Sequence, residues 1–473
     1  MGAPPTAQGR RRLGHPRPPD REDRPVTSAA EAVAVRLGRL DLADTERDPA
    51  VAAQRDGLFR RGAIPDPAVR DAARRIVAEV KAGGEEAVRA ANSRFGGGLP
   101  DGRLALERSE LLAARDRLPA AVRTALEAAI ANVTRFAETQ RPTTTTTTIT
   151  PGIRIERRWT PIERIGAYVP GGSAAYPSSL VMSAVPARVA GVGSLVVASP
   201  ASADGTVDEV LLGTAGLLGV DAFIVAGGAQ AVAALAFGLP DAGIAPVDKI
   251  VGPGNAWVTA AKLEVLGEVG IDLPAGPSEV MVLADATADP AFVAADLLSQ
   301  AEHGPDSPAL VVTPDPGMVE AVEAEVARQL SAAPRRAILE RSLVAGALVV
   351  LAPTLDAAVA FVNDYAPEHL TVLTADADDV AARVLNAGSV FVGPYAPESA
   401  GDYASGANHV LPTGGLARSS GPLGVEAFGK FVQVQRIDRA GLSSIRETVT
   451  TLAIAEGLAA HAAAIGLRFG EKA

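Results

Sequence analysis

A repeating order of short apolar run, glycine turn and helical pattern is the feature of this sequence that most constrains its fold. Apolar runs at 165–169, 222–226 and 249–251 each end in a glycine-containing turn, and helical patterns follow at 207–218 and 256–266. A further apolar run lies at 194–198. Strands that alternate with helices at this spacing are typical of βαβ units. The sequence therefore predicts a parallel sheet with helices packed on its faces.

The alternation resumes after residue 307 and predicts a second α/β unit. Apolar runs at 309–313, 347–351, 370–373 and 389–392 are predicted strands, and the segments 317–330, 355–362 and 376–385 are predicted helices. A chain of 473 residues is long enough for two or more cores.

The stretch 271–307 joins the two units and carries the first chemical signal. A strand is predicted at 280–283, followed by a helix that Asp289 caps and that runs to about His303. Gln300 and His303 are three residues apart, so we expect them on one helix face. An amide oxygen and an imidazole there suit one edge of a metal site, although for these two residues alone a solvated polar helix end is the more common explanation.

The composition excludes several functional classes. Net charge is −11, which argues against general binding to nucleic acid or anionic membranes. The absence of cysteine excludes disulfides, thiolate nucleophiles and cysteine-ligated zinc. No apolar run reaches 18 residues, so no membrane-spanning helix is expected. We expect a soluble cytoplasmic protein.

The two ends differ from the middle. Residues 1–26 contain six Arg and six Pro with almost no large apolar side chain, which predicts a disordered extension. Helical patterns follow at 29–62, 65–81 and 107–140, and six consecutive threonines at 143–148 predict a loop or edge strand. A final helix, predicted at 448–466, carries Glu456 and His461.

Histidine is rare, and four of the five histidines stand beside other polar groups. His303 and His461 are introduced above, His369 follows Glu368 at a predicted helix-to-strand turn, and His409 shares a glycine-rich segment with Asp402. Each can be a structural histidine, but together they predict a shared site. No G-x-G-x-x-G follows a strand, so the glycine turns by themselves indicate a nucleotide only weakly.

Long motifs resemble those of the histidinol dehydrogenase family. The matching strings are GAYVPGG (166–172), AGGAQAVAALAFG (226–238), VGPGN (251–255), DLPAGPSEV (272–280), DLLSQAEHGPDS (296–307), APEHL (366–370), GDYASGANHVLPT (401–413) and EGLAAH (456–461). The resemblance covers the chain from about residue 30 onward.

The resemblance implies an enzyme that oxidises L-histidinol to L-histidine with two NAD, one water and one zinc per chain. It implies Glu368 and His369 as the acid–base pair. The implied zinc ligands are Gln300, His303, Asp402 and His461. These four are also expected to hold substrate, together with Ser278, His369 and Glu456. The residues expected to contact NAD are Tyr168, Gln230 and Asn255.

The resemblance also implies an intertwined homodimer of two incomplete Rossmann-like domains with small N- and C-terminal helical arms. The expected divisions are an extension (1–28), an N-terminal arm (29–65), a first α/β domain (66–167 and 279–423), a second on the NAD side (168–278) and a tail (424–473). The tail is expected to complete the site of the partner subunit. Two alternatives stay open at this point, a zinc and NAD dehydrogenase of another amino or hydroxy alcohol and a zinc hydrolase.

Overall fold

The computed structural model describes residues 36–171 and 176–470, so the expected extension at 1–28 lies outside the described residues. The strands are β1 Gly38–Asp41, β2 Ala105–Leu106, β3 Thr145–Thr150, β4 Ile153–Pro161, β5 Arg164–Tyr168, β6 Ser194–Ser199, β7 Ala222–Val225, β8 Lys249–Val251, β9 Gly270–Ile271, β10 Val280–Ala284, β11 Ala309–Thr313, β12 Ala347–Leu351, β13 His369–Leu373, β14 Ser389–Val392 and β15 Gly429–Ile437.

The helices are α1 Pro49–Phe59, α2 Pro67–Phe95, α3 Arg108–Arg117, α4 Ala120–Thr139, α5 Pro177–Ala190, α6 Glu209–Leu217, α7 Gly228–Phe237, α8 Ala256–Val265, α9 Pro290–Ala301, α10 Pro316–Ala332, α11 Arg336–Gly346, α12 Leu355–Tyr365, α13 Ala377–Ala382, α14 Glu398–Tyr403, α15 Arg439–Ala455 and α16 Ala459–Gly466. None of the helices among the described residues is long and apolar enough to span a bilayer.

Two six-stranded sheets form the centre of the fold and confirm the α/β class. The first sheet has the order β1-β12-β11-β10-β13-β14 and is parallel throughout. The second has the order β2-β7-β6-β5-β8-β9, in which β2 alone is antiparallel to its neighbour. Apolar clusters cover both faces of each sheet. Burial on both faces explains why these strands are short, continuous apolar runs.

The two sheets repeat one strand order, with one reversal of direction in each. In the first sheet the chain runs from β10 outward to β12 and then returns beside β10 as β13. In the second it runs from β5 to β7 and returns beside β5 as β8. Connections on the two sides of such a reversal diverge, which opens a crevice where ligands bind in parallel sheets.

A third, antiparallel sheet holds the C-terminal tail. Its order is β15-β4-β3, and β15 pairs with β4 from Gly429 opposite Pro161 to Ile437 opposite Ile153. The threonine run forms the edge strand β3, which confirms one of its two predicted conformations. β4 and β15 were not predicted, because their polar and apolar residues lie on a half-exposed ribbon rather than in a buried run.

Several element boundaries differ from the sequence prediction. Residues 38–41, expected in a helical arm, form strand β1 beside β12. The helix expected at 107–140 is two helices, because Pro119 stands between them as the N-cap of α4. The final helix is also two, separated at Gly457, whose φ of 74° is incompatible with helix continuation.

Strand pairing also differs from the expected grouping of segments. β2 and β5 come from 66–167, which was assigned to the first domain, yet both belong to the second sheet. Helix α2 from the same segment packs on α7 and α8. The pattern of a short strand does not specify its partner, so the grouping could not be read locally. The domain boundaries themselves stay a prediction.

Candidate active site

A cavity of about 700 Å³ brings together residues from both sheets and from the N-terminal segment. The second sheet contributes the loop that follows β8, including Asn255, and the first sheet contributes residues that precede β10 and β13, including Ser278 and Glu368. The cavity therefore lies at the carboxyl ends of strands in one sheet and at the amino ends of strands in the other. Residues 62–65, between α1 and α2, complete this part of the lining.

The Glu368–His369 pair lies at the turn from α12 into β13. The chain leaves α12 through Ala366, whose φ of 54° makes it the one non-glycine in the left-handed region among the described residues. Such a conformation in a residue with a side chain is uncommon and is characteristic of functional sites. This turn orients Glu368 and His369 toward the cavity, and both are buried.

Hydrogen bonds fix the orientation of both side chains. Glu368 Oε2 accepts from the Ser278 hydroxyl at 2.8 Å and from the Glu279 backbone N–H at 2.9 Å. His369 Nδ1 lies 3.2 Å from the Glu279 carbonyl oxygen, which fits an Nδ1–H that donates to it. In the neutral imidazole that tautomer leaves Nε2 unprotonated, and Nε2 has no hydrogen-bond partner among the described residues.

The electrostatics around His369 are dominated by carboxylates. Burial acts to lower the pKa of His369, but Glu368, Glu398 and Asp402 outweigh it and raise this pKa to about 10. Burial raises the pKa of Glu398 to about 8, with Asp402 and Glu368 adding to the effect and His369 opposing it. The site thus holds more buried negative charge than its own imidazole neutralises, an arrangement suited to a cation.

Three candidate metal ligands converge at the edge of this cluster. Ligand atoms of His303, Glu398 and Asp402 lie within 4.8 Å of one another. His303 follows the end of α9 rather than lying on the helix, which corrects the predicted helix boundary. Glu398 was not singled out from the sequence. The signal that could have found it is its position four residues before Asp402 on α14, which places both on one face.

Ser278 lines the cavity with His303 and Asp402, and Gln300, which does not line it, is hydrogen-bonded to Ser278. Gln300 is fully buried, donates from Nε2 to the Ser278 carbonyl at 2.6 Å, and keeps Oε1 3.4 Å from the Ser278 hydroxyl. His409 Nδ1 lies 3.0 Å from the backbone carbonyl of Asp402, and burial lowers the His409 pKa. His409 therefore supports the segment that carries Asp402.

The cavity of a single chain does not contain all of the predicted site residues. Of the three residues expected to contact NAD, Asn255 is among the described residues that line the cavity, and Tyr168 and Gln230 are not. Tyr168 is buried, and its hydroxyl lies 3.4 Å from the Gly228 amide. Gln230 is also buried, and its Nε2 donates to Asn92 Oδ1 at 3.3 Å. Glu456 and His461, at the end of α15 and in α16, are exposed and do not line the cavity of their own chain.

The sequence profile of the histidinol dehydrogenase family matches residues 60–469, which include the whole cavity lining described above. The chain belongs to the histidinol dehydrogenase family.

Named relatives and a solved structure agree with this assignment. The histidinol dehydrogenase of Leifsonia xyli subsp. xyli is 49% identical over 420 residues, covering 88% of this chain and 96% of that protein. The histidinol dehydrogenase of Mycobacterium tuberculosis is 45% identical over 439 residues, covering 92% and 98%. The crystal structure of histidinol dehydrogenase from Elizabethkingia anophelis superimposes with a TM-score of 0.83 at 34% identity, covering 92% and 98%.

Membership of the histidinol dehydrogenase family confirms the resemblance found in the motifs and the predicted enzyme class, an NAD-dependent dehydrogenase. The roles of individual site residues stay predictions.

Proposed function

We propose that this chain oxidises L-histidinol to L-histidine through L-histidinaldehyde, with two NAD and one water. The observation that carries the proposal is the convergence of Glu368 and His369 with His303, Asp402 and Asn255 on one cavity. An acid–base pair, candidate metal ligands and a glycine loop at a strand end are the parts that such a reaction needs.

His369 serves as the base for the alcohol. Its Nδ1–H donates to the Glu279 carbonyl at 3.2 Å, so Nε2 of the neutral imidazole is the atom that takes the hydroxyl proton. A cation bound beside Asp402 would offset the carboxylates that raise the pKa of His369 and would favour this neutral form. Nε2 also lies 4.0 Å from Asp402, whose carboxylate stabilises the imidazolium that forms. NAD, when bound, supplies the acceptor for the hydride.

Glu368 serves as the base for the water that adds to the aldehyde. Ser278 and Glu279 donate to one carboxylate oxygen, Oε2, and this leaves Oε1 for the water. Because both donors fix the carboxylate plane, the base keeps one orientation through the reaction.

We propose Gln300, His303 and Asp402 as ligands of one zinc per chain. The fit rests on the surrounding carboxylates and on Glu398 Oε2, which is buried without a hydrogen-bond partner among the described residues. A cation would balance this charge. The imidazole nitrogen of His303 and the carboxylate oxygen of Asp402 are ordinary zinc ligands, and the Gln300 amide would add a neutral oxygen. Zinc, when bound, supplies a Lewis-acidic template for the imidazole and amine nitrogens of the substrate.

We propose that the fourth ligand, His461, reaches the site of the partner subunit in an intertwined homodimer, and that Glu456 acts there on the substrate. Support comes from the exposure of both residues and from their position outside the cavity of their own chain. The pairing of β15 with β4 attaches the tail firmly to its own subunit. Two subunits related by a twofold axis could then exchange their tails reciprocally.

We propose that NAD binds along the second sheet, whose parallel strands follow a Rossmann-like order, with the loop from Gly252 to Asn255 beside the reversal between β5 and β8. Asn255 faces the cavity, and Tyr168 and Gln230 are the expected additional contacts.

Steady-state assays with matched alcohols test the proposed substrate. We expect histidinol to exceed analogues that lack either the imidazole or the amine by about 10⁴-fold in kcat/KM, because such analogues leave buried polar groups unpaired. Equal turnover of simple alcohols would support a dehydrogenase of different specificity, and turnover without NAD would contradict the proposal.

A further inference from the structure

A buried ion pair lies directly behind the glycine loop that lines the cavity. It joins Lys262 on α8 to Asp272 just after β9, and the two side chains are only 2% and 3% exposed. Lys262 Nζ also donates to the carbonyls of Gly252 at 3.1 Å and Leu273 at 3.2 Å. Asp272 Oδ2 accepts from the Gly252 N–H at 2.7 Å. The pair therefore holds both backbone polar groups of Gly252.

Gly252 is the residue whose conformation depends most on these hydrogen bonds. It begins the loop that continues through Pro253 and Gly254 to Asn255, all three of which line the cavity. Its φ of 106° lies in a region that favours glycine, and an added Cβ would collide with the Tyr168 carbonyl. The loop thus leaves β8 in a conformation that needs external support, and the ion pair supplies it.

The substrate side of the cavity does not depend on this pair to the same degree. Leu273, the third backbone group held by Lys262, leads into the segment 275–278. That segment has other anchors, since the Thr259 hydroxyl donates to the Ala275 carbonyl at 2.7 Å and Ser278 bonds to Glu368 at 2.8 Å. Loss of the pair should therefore disturb the glycine loop far more than it disturbs Ser278.

We propose that Lys262 and Asp272 are positioning residues for NAD, which fix the Gly252–Asn255 loop in the conformation that receives the cofactor. The identification of NAD as the ligand rests on the function proposed above. The attachment of the loop to the ion pair rests only on the hydrogen bonds to Gly252. Stability is a weak reason for such a pair, because well-packed apolar replacements of buried ion pairs are often neutral or stabilising. A displaced loop, in contrast, can lower the rate about 100-fold even when the shift is near 1 Å.

The test replaces the whole pair with apolar side chains, as Lys262→Met with Asp272→Leu, so that no charge is left buried alone. The variant Asp272→Asn, which keeps an acceptor for the Gly252 N–H but leaves the Lys262 ammonium without its carboxylate, is made beside it to separate loss of the loop contact from loss of the charge pair. The control is Lys81→Met with Glu268→Gln, since this exposed ion pair, joined at 2.7 Å, lies outside the cavity lining and has no hydrogen bond to the loop in the part of the chain that the structure describes. For each variant, NAD affinity, both KM values, melting temperature and hydrogen exchange of segments 249–258 and 271–279 are measured.

We expect the apolar pair to melt near the wild type, to exchange faster at 249–258, and to show a KM for NAD raised about 10- to 100-fold. The KM for histidinol should change no more than about threefold, since Ser278 keeps its anchors. The Asn variant should melt at a lower temperature, because the Lys262 ammonium loses its carboxylate, and its KM for NAD should rise less than in the apolar pair. The Lys81–Glu268 control should match the wild type.

Unchanged exchange at 249–258 and unchanged NAD affinity in the apolar pair would overturn the proposal, as would an equal NAD defect in the Lys81–Glu268 control. Failure of the proposed function looks different, because the wild type itself would then not bind NAD. The exchange comparison would still decide whether the pair holds the loop.

Discussion

Replacing Glu368 with glutamine separates the two oxidation steps. The carboxylate accepts two hydrogen bonds through Oε2, from the Ser278 hydroxyl at 2.8 Å and the Glu279 amide at 2.9 Å. A glutamine amide oxygen accepts both bonds, and its NH₂ group then occupies the place of Oε1. The variant should therefore fold and keep the site shape while it loses the basic oxygen that we assign to the water.

The expected loss falls on the aldehyde step. A general base typically contributes about 10²–10⁴-fold, equivalent to roughly 2.7–5.4 kcal/mol of activation free energy. Oxidation of histidinaldehyde should fall by this factor in Glu368→Gln. Oxidation of histidinol should fall far less, since we assign the base for that step to His369.

A change in pH dependence accompanies the selective loss. Although burial acts to lower the pKa of His369, Glu368 is first among the carboxylates that raise it to about 10. Removal of this charge lowers the pKa of the imidazole, which then becomes unprotonated at lower pH. The acid limb of histidinol oxidation should therefore move to lower pH in Glu368→Gln.

The assay supplies histidinol and histidinaldehyde separately and follows NADH in single turnovers. Glu398→Gln is the matched control, because Glu398 is also buried and also contributes to the raised pKa of His369. We expect this control to affect both steps together. Equal loss of both steps in Glu368→Gln would refute the role given to Glu368.

Three further predictions test the metal site, the dimer and the buried carboxyl group of Asp296. Metal analysis should find one zinc per chain, and a strong chelator should abolish activity. Subunit exchange between inactive His303→Ala and His461→Ala variants should restore roughly a quarter of wild-type activity, since half the dimers are mixed and each has one intact site; ligands drawn from one chain would restore nothing. Burial raises the pKa of Asp296 from 3.8 to about 6, so the folded state loses stability as pH rises through this range. In chelator-treated protein at pH 8, the free energy of unfolding of Asp296→Asn should therefore exceed that of the wild type by on the order of 2–3 kcal/mol. The two proteins should not differ below about pH 4.

The sequence predicted the parts of the fold that leave a strong local pattern. Strands such as β10 and β11 are continuous apolar runs between turn residues, because both faces of their sheet are covered. The third sheet was missed, since β15 is partly exposed along most of its length. The sequence also could not predict that β5 pairs with β6 and β8 in the second sheet, because this pairing is fixed by contacts between distant segments.

The candidate site was predicted from motifs more fully than from spacing. Glu368 and His369 stand together in one string, and the structure brings both to the cavity with His303 and Asp402. Glu398 was missed, because its importance depends on burial beside those groups rather than on any local pattern. The residues expected to act across subunits stay predictions, since a single chain holds only one side of that contact.

The stoichiometry of NADH formed per histidinol consumed tests the central claim most directly. With limiting histidinol, excess NAD and the zinc-loaded enzyme, we predict two NADH for each histidinol and histidine as the product. One NADH with accumulation of the aldehyde would contradict the two-step account, and no NADH at all would contradict the assignment of a dehydrogenase acting on histidinol.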